Sequence, residues 1–369
     1  MAVTNPALVH DYLLVMRGAE RTFATIASCW PGAPVFTLLC DRESVDHEFA
    51  GHPITTSYLQ RLGTGQTGFR RLLPMFPRAV QALPVQGFDL VVSSSSAFAH
   101  GVRTKPGATH VCYCHSPFRY AWHEMQSTIE HAPPLLRPLA RGLLRRMRAW
   151  DVAAAAHVTH YIANSRLTQR RIQEYYNCDA TVIHPPVDVE RFHTAPPEDF
   201  FLVVSEVLWH KRLDIALLAA RRARKPLVIV GGGPDLKHLA ARYAGPDVTF
   251  TGRIPDAQLE DLYARARALV VPNVEEFGIA AVEAQASGRP VIAADGGGVT
   301  ETTIPGETSV LVPIGDVDAL ADAMRTTDFD RFSPDRIRAH AARFSTVEFK
   351  RGFMAEVARS TQAQSSAAR

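Results

Sequence analysis

Cysteine is scarce in this 369-residue chain: Cys29, Cys40, Cys112, Cys114 and Cys178 are an odd set with no C-x-x-C spacing. Such a set builds neither a disulfide framework nor a zinc site, and it fits a reducing compartment. Long apolar runs are missing as well. No stretch approaches the roughly 18 residues of a membrane span, and the first residues lack the charged and apolar blocks of a signal peptide. A cytoplasmic protein is expected. Apolar residues make up 46% and charged residues 21%, which excludes a disordered, collagen-like or coiled-coil chain. At roughly 100–200 residues per domain, the length predicts two domains, each with its own core.

Net charge of one sign is also small, with 40 Lys+Arg against 37 Asp+Glu, but the charges are unevenly spread. Between Arg61 and Arg148, 12 basic residues face only Asp89, Glu124 and Glu130. Two stretches there mix arginine with large apolar groups. One is Phe69-Arg70-Arg71-Leu72-Leu73-Pro74-Met75-Phe76. The other is Leu135 to Trp150, with Arg137, Arg141, Arg145, Arg146 and Arg148. The second reads as an amphipathic helix, with Leu136, Leu139, Leu143, Leu144 and Met147 near helical spacing. A basic face beside exposed apolar groups holds a protein on an anionic leaflet; the same pattern also describes a core-packed helix with a solvated arginine face. Interleaved stacking aromatics and nucleic-acid motifs are absent, so nucleic acid is not an expected partner.

Short apolar runs alternate with longer helical patterns. Strands are expected at 88–93, 110–113 and 161–165 in the first half, and at 201–204, 227–230, 248–250, 268–271 and 290–293 in the second. Continuous apolar strands alternating with helices predict parallel, doubly wound sheets covered on both faces. His184-Pro185-Pro186-Val187-Asp188 and Ala195-Pro196-Pro197 interrupt the pattern and predict a hinge. The expected order is a domain over 1–183, a linker over 184–198, a second domain over 199–344 and a final helix over 345–360. Ser345-Thr346-Val347-Glu348 is a capping-box signature opening that helix, and the small polar tail 361–369 is expected to fray. Ligands of open α/β sheets lie beyond the carboxyl ends of strands, so two such domains make a cleft between them.

The glycine loop Gly231-Gly232-Gly233-Pro234-Asp235-Leu236 lacks the third glycine of a dinucleotide fingerprint, and no Walker motif occurs. It reads as a strand-to-helix turn, with amides facing a phosphate or as a plain tight turn. Glu275-Glu276-Phe277-Gly278-Ile279-Ala280-Ala281-Val282-Glu283 carries a stronger signal. It follows an expected strand and opens a helix, so the amides of Phe277, Gly278 and Ile279 lie where the helix dipole and unpaired donors favour an anion. Glu275 before the helix and Glu283 inside it accept hydrogen bonds from hydroxyls. Anion-binding amides flanked by two such carboxylates suit a phosphorylated sugar; a bare acidic helix start is the plainer alternative.

This segment resembles the E-x7-E signature of the retaining glycosyltransferases of family four, which have the GT-B fold of two Rossmann-like domains. Further resemblances run along the chain in order: His10-Asp11-Tyr12, Gly18-Ala19-Glu20-Arg21, Cys114-His115-Ser116-Pro117-Phe118-Arg119-Tyr120, Ile183-His184-Pro185-Pro186-Val187-Asp188, Thr251-Gly252-Arg253-Ile254, Gly296-Gly297-Gly298-Val299-Thr300-Glu301 and Phe344-Ser345. The resemblance implies that the last helix crosses back onto the first domain. It implies that Glu275 binds the donor sugar's hydroxyls and Glu283 the ribose. The amides of Phe277, Gly278 and Ile279 would touch sugar and phosphate, and the backbone at Ile254 the base. Gly18 would let the backbone approach the diphosphate, and His115 would face the reacting sugar. Relatives carry an Arg followed by a Lys for the diphosphate; here Lys211 is kept and Glu206 stands where the Arg is usual, leaving Arg212 or His210 to supply charge. Asp11 and Glu20 are candidate acceptor contacts.

The implied reaction is retaining transfer from a nucleotide sugar, GDP-mannose first, with UDP-glucose and UDP-N-acetylglucosamine open. No metal or other cofactor is expected, because Lys211, the helix amides and Arg212 stabilise the departing diphosphate. The His-Asp-Tyr and Gly-Ala-Glu-Arg forms resemble mannosyltransferases of bacterial polysaccharide assembly. A glycan or polyprenyl-linked acceptor, and a place on the inner face of the plasma membrane, follow from that likeness. A nucleotide-sugar epimerase and a non-catalytic nucleotide-sugar-binding partner are the two rival readings.

Overall fold

The computed structural model describes residues 6–62 and 68–367, without the side chains of Asp46, Arg70 and Ala367. Residues 1–184 together with 349–369 form one compact unit, and residues 185–348 form the other.

The first unit is built on a parallel sheet of seven strands: β1 (Ala7–His10), β2 (Val35–Thr37), β3 (Ile54–Thr56), β4 (Leu90–Ser95), β5 (Thr109–Cys114), β6 (His160–Ala163) and β7 (Ala180–Val182). They lie in the order β3-β2-β1-β4-β5-β6-β7. Successive residues of a strand point to opposite faces, and here both faces are covered. Ala7 and Val9 enter a core with Phe76, Phe98, Leu144 and Met147, while Leu8 between them enters another with Phe23, Ile26 and Phe49.

The helix expected around residues 135–150 runs from Arg137 to Ala155, behind a short 3-10 turn over Pro134–Leu136. Its stripe is only partly core. Leu144 and Met147 are buried, but Leu136 and Leu139 are 51% and 71% exposed and Leu135 is 94% exposed.

The last helix, Thr346–Ala367, puts Phe349, Phe353 and Val357 into the same core as Leu8 and Val92. Those positions are four apart, so they share one helix face. The Glu348 amide donates to Ser345 Oγ at 3.4 Å, as a capping motif requires. Beside β6 and β7, Glu356 meets His160 at 2.7 Å and accepts from the Thr181 hydroxyl at 3.0 Å. The helix does not fray at residue 361. Alanine and glutamine favour helix there, and the Thr361 and Ser365 hydroxyls bond back to the carbonyls of Val357 and Thr361. Ala368 and Arg369 lie outside the described residues.

The second unit carries β8 (Phe201–Val204), β9 (Leu227–Val230), β10 (Val248–Gly252), β11 (Ala268–Val271), β12 (Val291–Ala294) and β13 (Ser309–Val312). All are parallel, in the order β10-β9-β8-β11-β12-β13. Leu202 faces a core with Phe277, Val282 and Phe344, while Phe201 and Val203 face one with Leu213, Leu217 and Leu320. Gly231–Gly233 forms the turn from β9 to the helix Leu236–Tyr243. Both sheets are thus doubly wound and Rossmann-like, the two-domain plan of the GT-B fold. The order reverses between β1 and β4 in one unit and between β8 and β11 in the other. Open α/β sheets bind ligands beyond the carboxyl ends of such strands.

Candidate functional site

In the second unit, the chain leaving β8 makes a 3-10 turn over Trp209–Lys211, held by the Lys211 amide on the Leu208 carbonyl at 2.9 Å. Arg212 then takes a left-handed conformation, φ 50°, and starts the helix Leu213–Ala223. This bend sets Lys211 at the end of the strand. Leaving β11, the chain reaches Asn273 and Glu275. The Glu275 backbone is pinned by the loop after β12, where the Gly298 amide donates to the Glu275 carbonyl at 2.7 Å. Gly297 must be glycine there: its φ is 71°, and a Cβ would lie 2.3 Å from the Glu275 oxygen.

The two strand ends meet in one ion pair. Lys211 Nζ donates to both Glu275 oxygens at 2.8 and 2.7 Å, with 18% and 19% of the side chains exposed. Asn273 Nδ2 donates to Oε1 of the same carboxylate at 3.0 Å. A carboxylate able to accept from hydroxyls and an ammonium therefore share one spot. Charge-assisted bonds of this kind are stronger than neutral ones.

Helix Ile279–Ala286 begins next to Glu275. Gly278 precedes it at φ 89°, and a Cβ there would lie 2.9 Å from Val299 Cγ2. The first amides of any helix have no partner within it, so this start offers donors and the positive end of the dipole. Phe277 anchors the start, 3% exposed, with its ring 5.8 Å from Phe344. Ile279 packs half-buried on the same core. Inside the helix, Glu283 Oε2 accepts from the buried Tyr263 hydroxyl at 2.7 Å. Burial, with Glu283 beside it, keeps that phenol well above its usual range and hence a donor. The Ile254 side chain packs against this core just past β10.

The cations differ from expectation. Arg212 Nε and Nη2 are bonded to the two Asp214 oxygens at 3.1 and 3.2 Å, two residues along its own turn. Both partners are about half exposed, so the pair is weak and separable. Two D-x-D spacings occur, at Asp316/Asp318 and Asp328/Asp330. Their leading residues cap turns, Asp316 on the amides of Asp318 and Ala319 and Asp328 on that of Asp330.

In the first unit, Asp11 follows β1 but is spent on structure. Its Oδ2 accepts from the Ser96 and Ala97 amides at 2.6 and 3.0 Å, and its Oδ1 from Phe98 and Ala99 at 2.8 and 2.6 Å. With both oxygens filled and 1% exposure, it holds the loop after β4 instead of meeting an acceptor. Gly18 opens the helix Gly18–Ala27, and its carbonyl accepts from the Thr22 hydroxyl at 2.8 Å. Glu20 folds back onto that helix start, its Oε2 taking the Arg17 amide at 3.1 Å. Burial raises its carboxyl to about 7.

His115 directly follows β5 and is half-buried, with Nε2 2.9 Å from Ser94 Oγ. Burial lowers its imidazole to about 4, so the ring is neutral. Asn273, Tyr263 and Ser94 were not foreseen. Tyr263 and Ser94 act on residues about 20 positions away in sequence, and Asn273, only two residues before Glu275, lies outside the E-x7-E pattern.

The chain matches two family models: "Glycosyltransferase Family 4" over residues 16–191 and "Glycosyl transferases group 1" over residues 188–342. A D-inositol 3-phosphate glycosyltransferase of Nocardia farcinica is 32% identical over 54% of this chain and 52% of its own length. An O-antigen chain mannosyltransferase of Escherichia coli is 31% identical over 51% of this chain and 54% of its own. The matched part is thus about half the length of these relatives. An Anabaena protein solved with UDP superimposes with a TM-score of 0.71 over 96% of this chain and 100% of its own, at 19% identity, a likeness of fold. With the two models together reaching from residue 16 to residue 342, the chain belongs to the family-four glycosyltransferases.

Proposed function

We propose that this chain is a retaining hexosyltransferase that moves mannose from GDP-mannose to a glycan or polyprenyl-linked saccharide in cell-surface polysaccharide assembly. The observation that carries the reading is Lys211 and Glu275 at the switch of the second sheet, beside the start of the helix that carries Glu283 about one turn inside it. Glu275 takes the hydroxyls of the hexose, releasing Lys211 to the diphosphate, while the amides around Gly278 face sugar and phosphate. Glu283, oriented by Tyr263, takes the ribose hydroxyls. Fixed positive groups favour the charge that develops on the leaving diphosphate without rearranging during the reaction. That diphosphate accepts the proton of the attacking hydroxyl on the same face, which retains configuration. Lys211, with Arg212 once it leaves Asp214, supplies the positive charge, so a chelator leaves turnover unchanged. The mannosyltransferase among the relatives supports mannose.

Among the described residues no helix is long and apolar enough to cross a membrane. Contact with an anionic inner leaflet is proposed instead, supported by exposed Leu135, Leu136 and Leu139 beside Arg137, Arg141, Arg145 and Arg146.

The test incubates purified protein separately with GDP-mannose, UDP-glucose and UDP-N-acetylglucosamine, and measures nucleoside diphosphate release with and without a bacterial lipid extract. GDP release from GDP-mannose, enhanced by the extract, is expected. Release from another donor reassigns the sugar. Conversion of a donor to another sugar nucleotide without release identifies an epimerase, and binding without release identifies a binding partner.

A further inference from the structure

Three strand ends of the first sheet converge on one hydroxyl. Ser94, in β4 and fully buried, has its Oγ 3.1 Å from His10 Nδ1 and 2.9 Å from His115 Nε2. His10 Nδ1 is also 3.0 Å from the Ser94 carbonyl oxygen. The His10 ring is held flat against Phe23, centroids 4.7 Å apart at 12°, and is 2% exposed.

The proton positions follow from what each atom is able to do. A carbonyl oxygen only accepts, so His10 Nδ1 carries a hydrogen, shared between the Ser94 carbonyl and Oγ. Burial lowers this imidazole to about 3, so its other nitrogen is bare. Ser94 Oγ therefore accepts from His10, and its own hydrogen has one remaining partner, His115 Nε2. A buried hydroxyl hydrogen is rarely left unbonded. His115 is then the acceptor at Nε2 and, being neutral, carries its hydrogen on Nδ1. Among the described residues no group bonds that Nδ1.

We propose that Ser94, backed by His10, is a positioning residue that locks His115 in the Nδ1–H tautomer, so that His115 presents a hydrogen-bond donor to substrate oxygen and never a basic lone pair. This rests on the proposed transferase function, with His115 facing the reacting sugar as the family resemblance implies. The lock itself is a property of the free protein. The consequence for the reaction is a division of labour. His115 donates to a sugar oxygen, and the proton of the acceptor hydroxyl goes to the leaving diphosphate because this imidazole has no free lone pair to receive it.

The test is nitrogen-15 NMR of histidine-labelled full-length protein, with His115 assigned by its loss in His115→Gln. The wild type is expected to show a protonated Nδ1 and a bare Nε2 at His115 at neutral pH. Ser94→Ala removes the hydroxyl with little change of volume and is expected to give a mixture of tautomers, while Ser94→Thr keeps the hydroxyl and restores the single form. In the diphosphate-release assay, Ser94→Ala is expected to lower kcat on the order of tenfold with donor KM nearly unchanged. A protonated Nε2 in the wild type, or an unaltered tautomer in a folded Ser94→Ala protein, overturns the proposal. The expected tautomers in a protein that releases no diphosphate from any donor leave the lock standing and overturn the transferase reading instead.

Discussion

Glu275 is held by both Lys211 and Asn273, and its removal separates chemistry from stability. The carboxylate is bound by Lys211 and Asn273 but retains contact with solvent, so Glu275→Ala leaves the fold standing. Turnover is expected to fall by about 10²-fold or more, the scale on which one fixed polar group acts on a transition state. Diphosphate release and a thermal melt on the same sample check both halves. Glu20 gives a pH-dependent case. Its carboxyl is raised from 4.5 to about 7 by burial, so the folded state binds a proton that the unfolded state has lost over that interval. Wild-type stability thus gains as pH falls from about 7 towards 4.5, and the charged form weighs on the fold above 7. Glu20→Gln removes the charge. Its advantage in urea unfolding should be widest at pH 8 and shrink steadily by pH 5; a pH-independent difference would contradict this.

Between elements, the helix Arg137–Ala155 shows where a periodic pattern divides. Leu144 and Met147 reach the core shared with Phe76 and Phe98, whereas Leu135, Leu136 and Leu139 stand in solvent with Arg137, Arg141 and Arg145. Spacing places apolar groups on one side but does not say how far along the helix the rest of the unit reaches. At about 1 kcal/mol per arginine near an anionic surface, Arg141→Glu with Arg145→Glu should weaken binding to anionic vesicles about 30-fold or more at low salt. Cosedimentation with anionic and neutral vesicles measures it, and equal recovery on both would remove the membrane contact. The central strands were legible because runs such as 201–204 and 268–271 are continuously apolar, as buried parallel strands require. The three-residue strands β2, β3 and β7 are too short to carry a period. In the site, the E-x7-E spacing and Lys211 were legible from sequence. Asp11 misled because a buried carboxylate on four amides looks the same in sequence as one awaiting a ligand. Tyr263 gains meaning only once the fold brings it, 20 positions away in sequence, to Glu283, and Asn273, two residues before Glu275, only once the loop turns its amide onto that carboxylate.

At the scale of the molecule, the two units differ in continuity: one is a single stretch, 185–348, and the other needs residues from both sides of it. A fragment of residues 185–348 is expected to unfold cooperatively by circular dichroism. A fragment of residues 1–184 lacks Phe349, Phe353 and Val357, each contributing about 1.5–3 kcal/mol when buried. It should melt far below the full chain or not fold, and a peptide of residues 346–367 added in trans should raise its melting temperature. Because that closing segment leaves the ribosome after residues 185–348, the usual order of folding during synthesis is inverted here. The second unit is complete while the first still waits with Leu8, Phe23 and Val92 unshielded, and any stall or premature stop after residue 348 yields a protein with a sound second unit and an open first one, ready for chaperones and proteases.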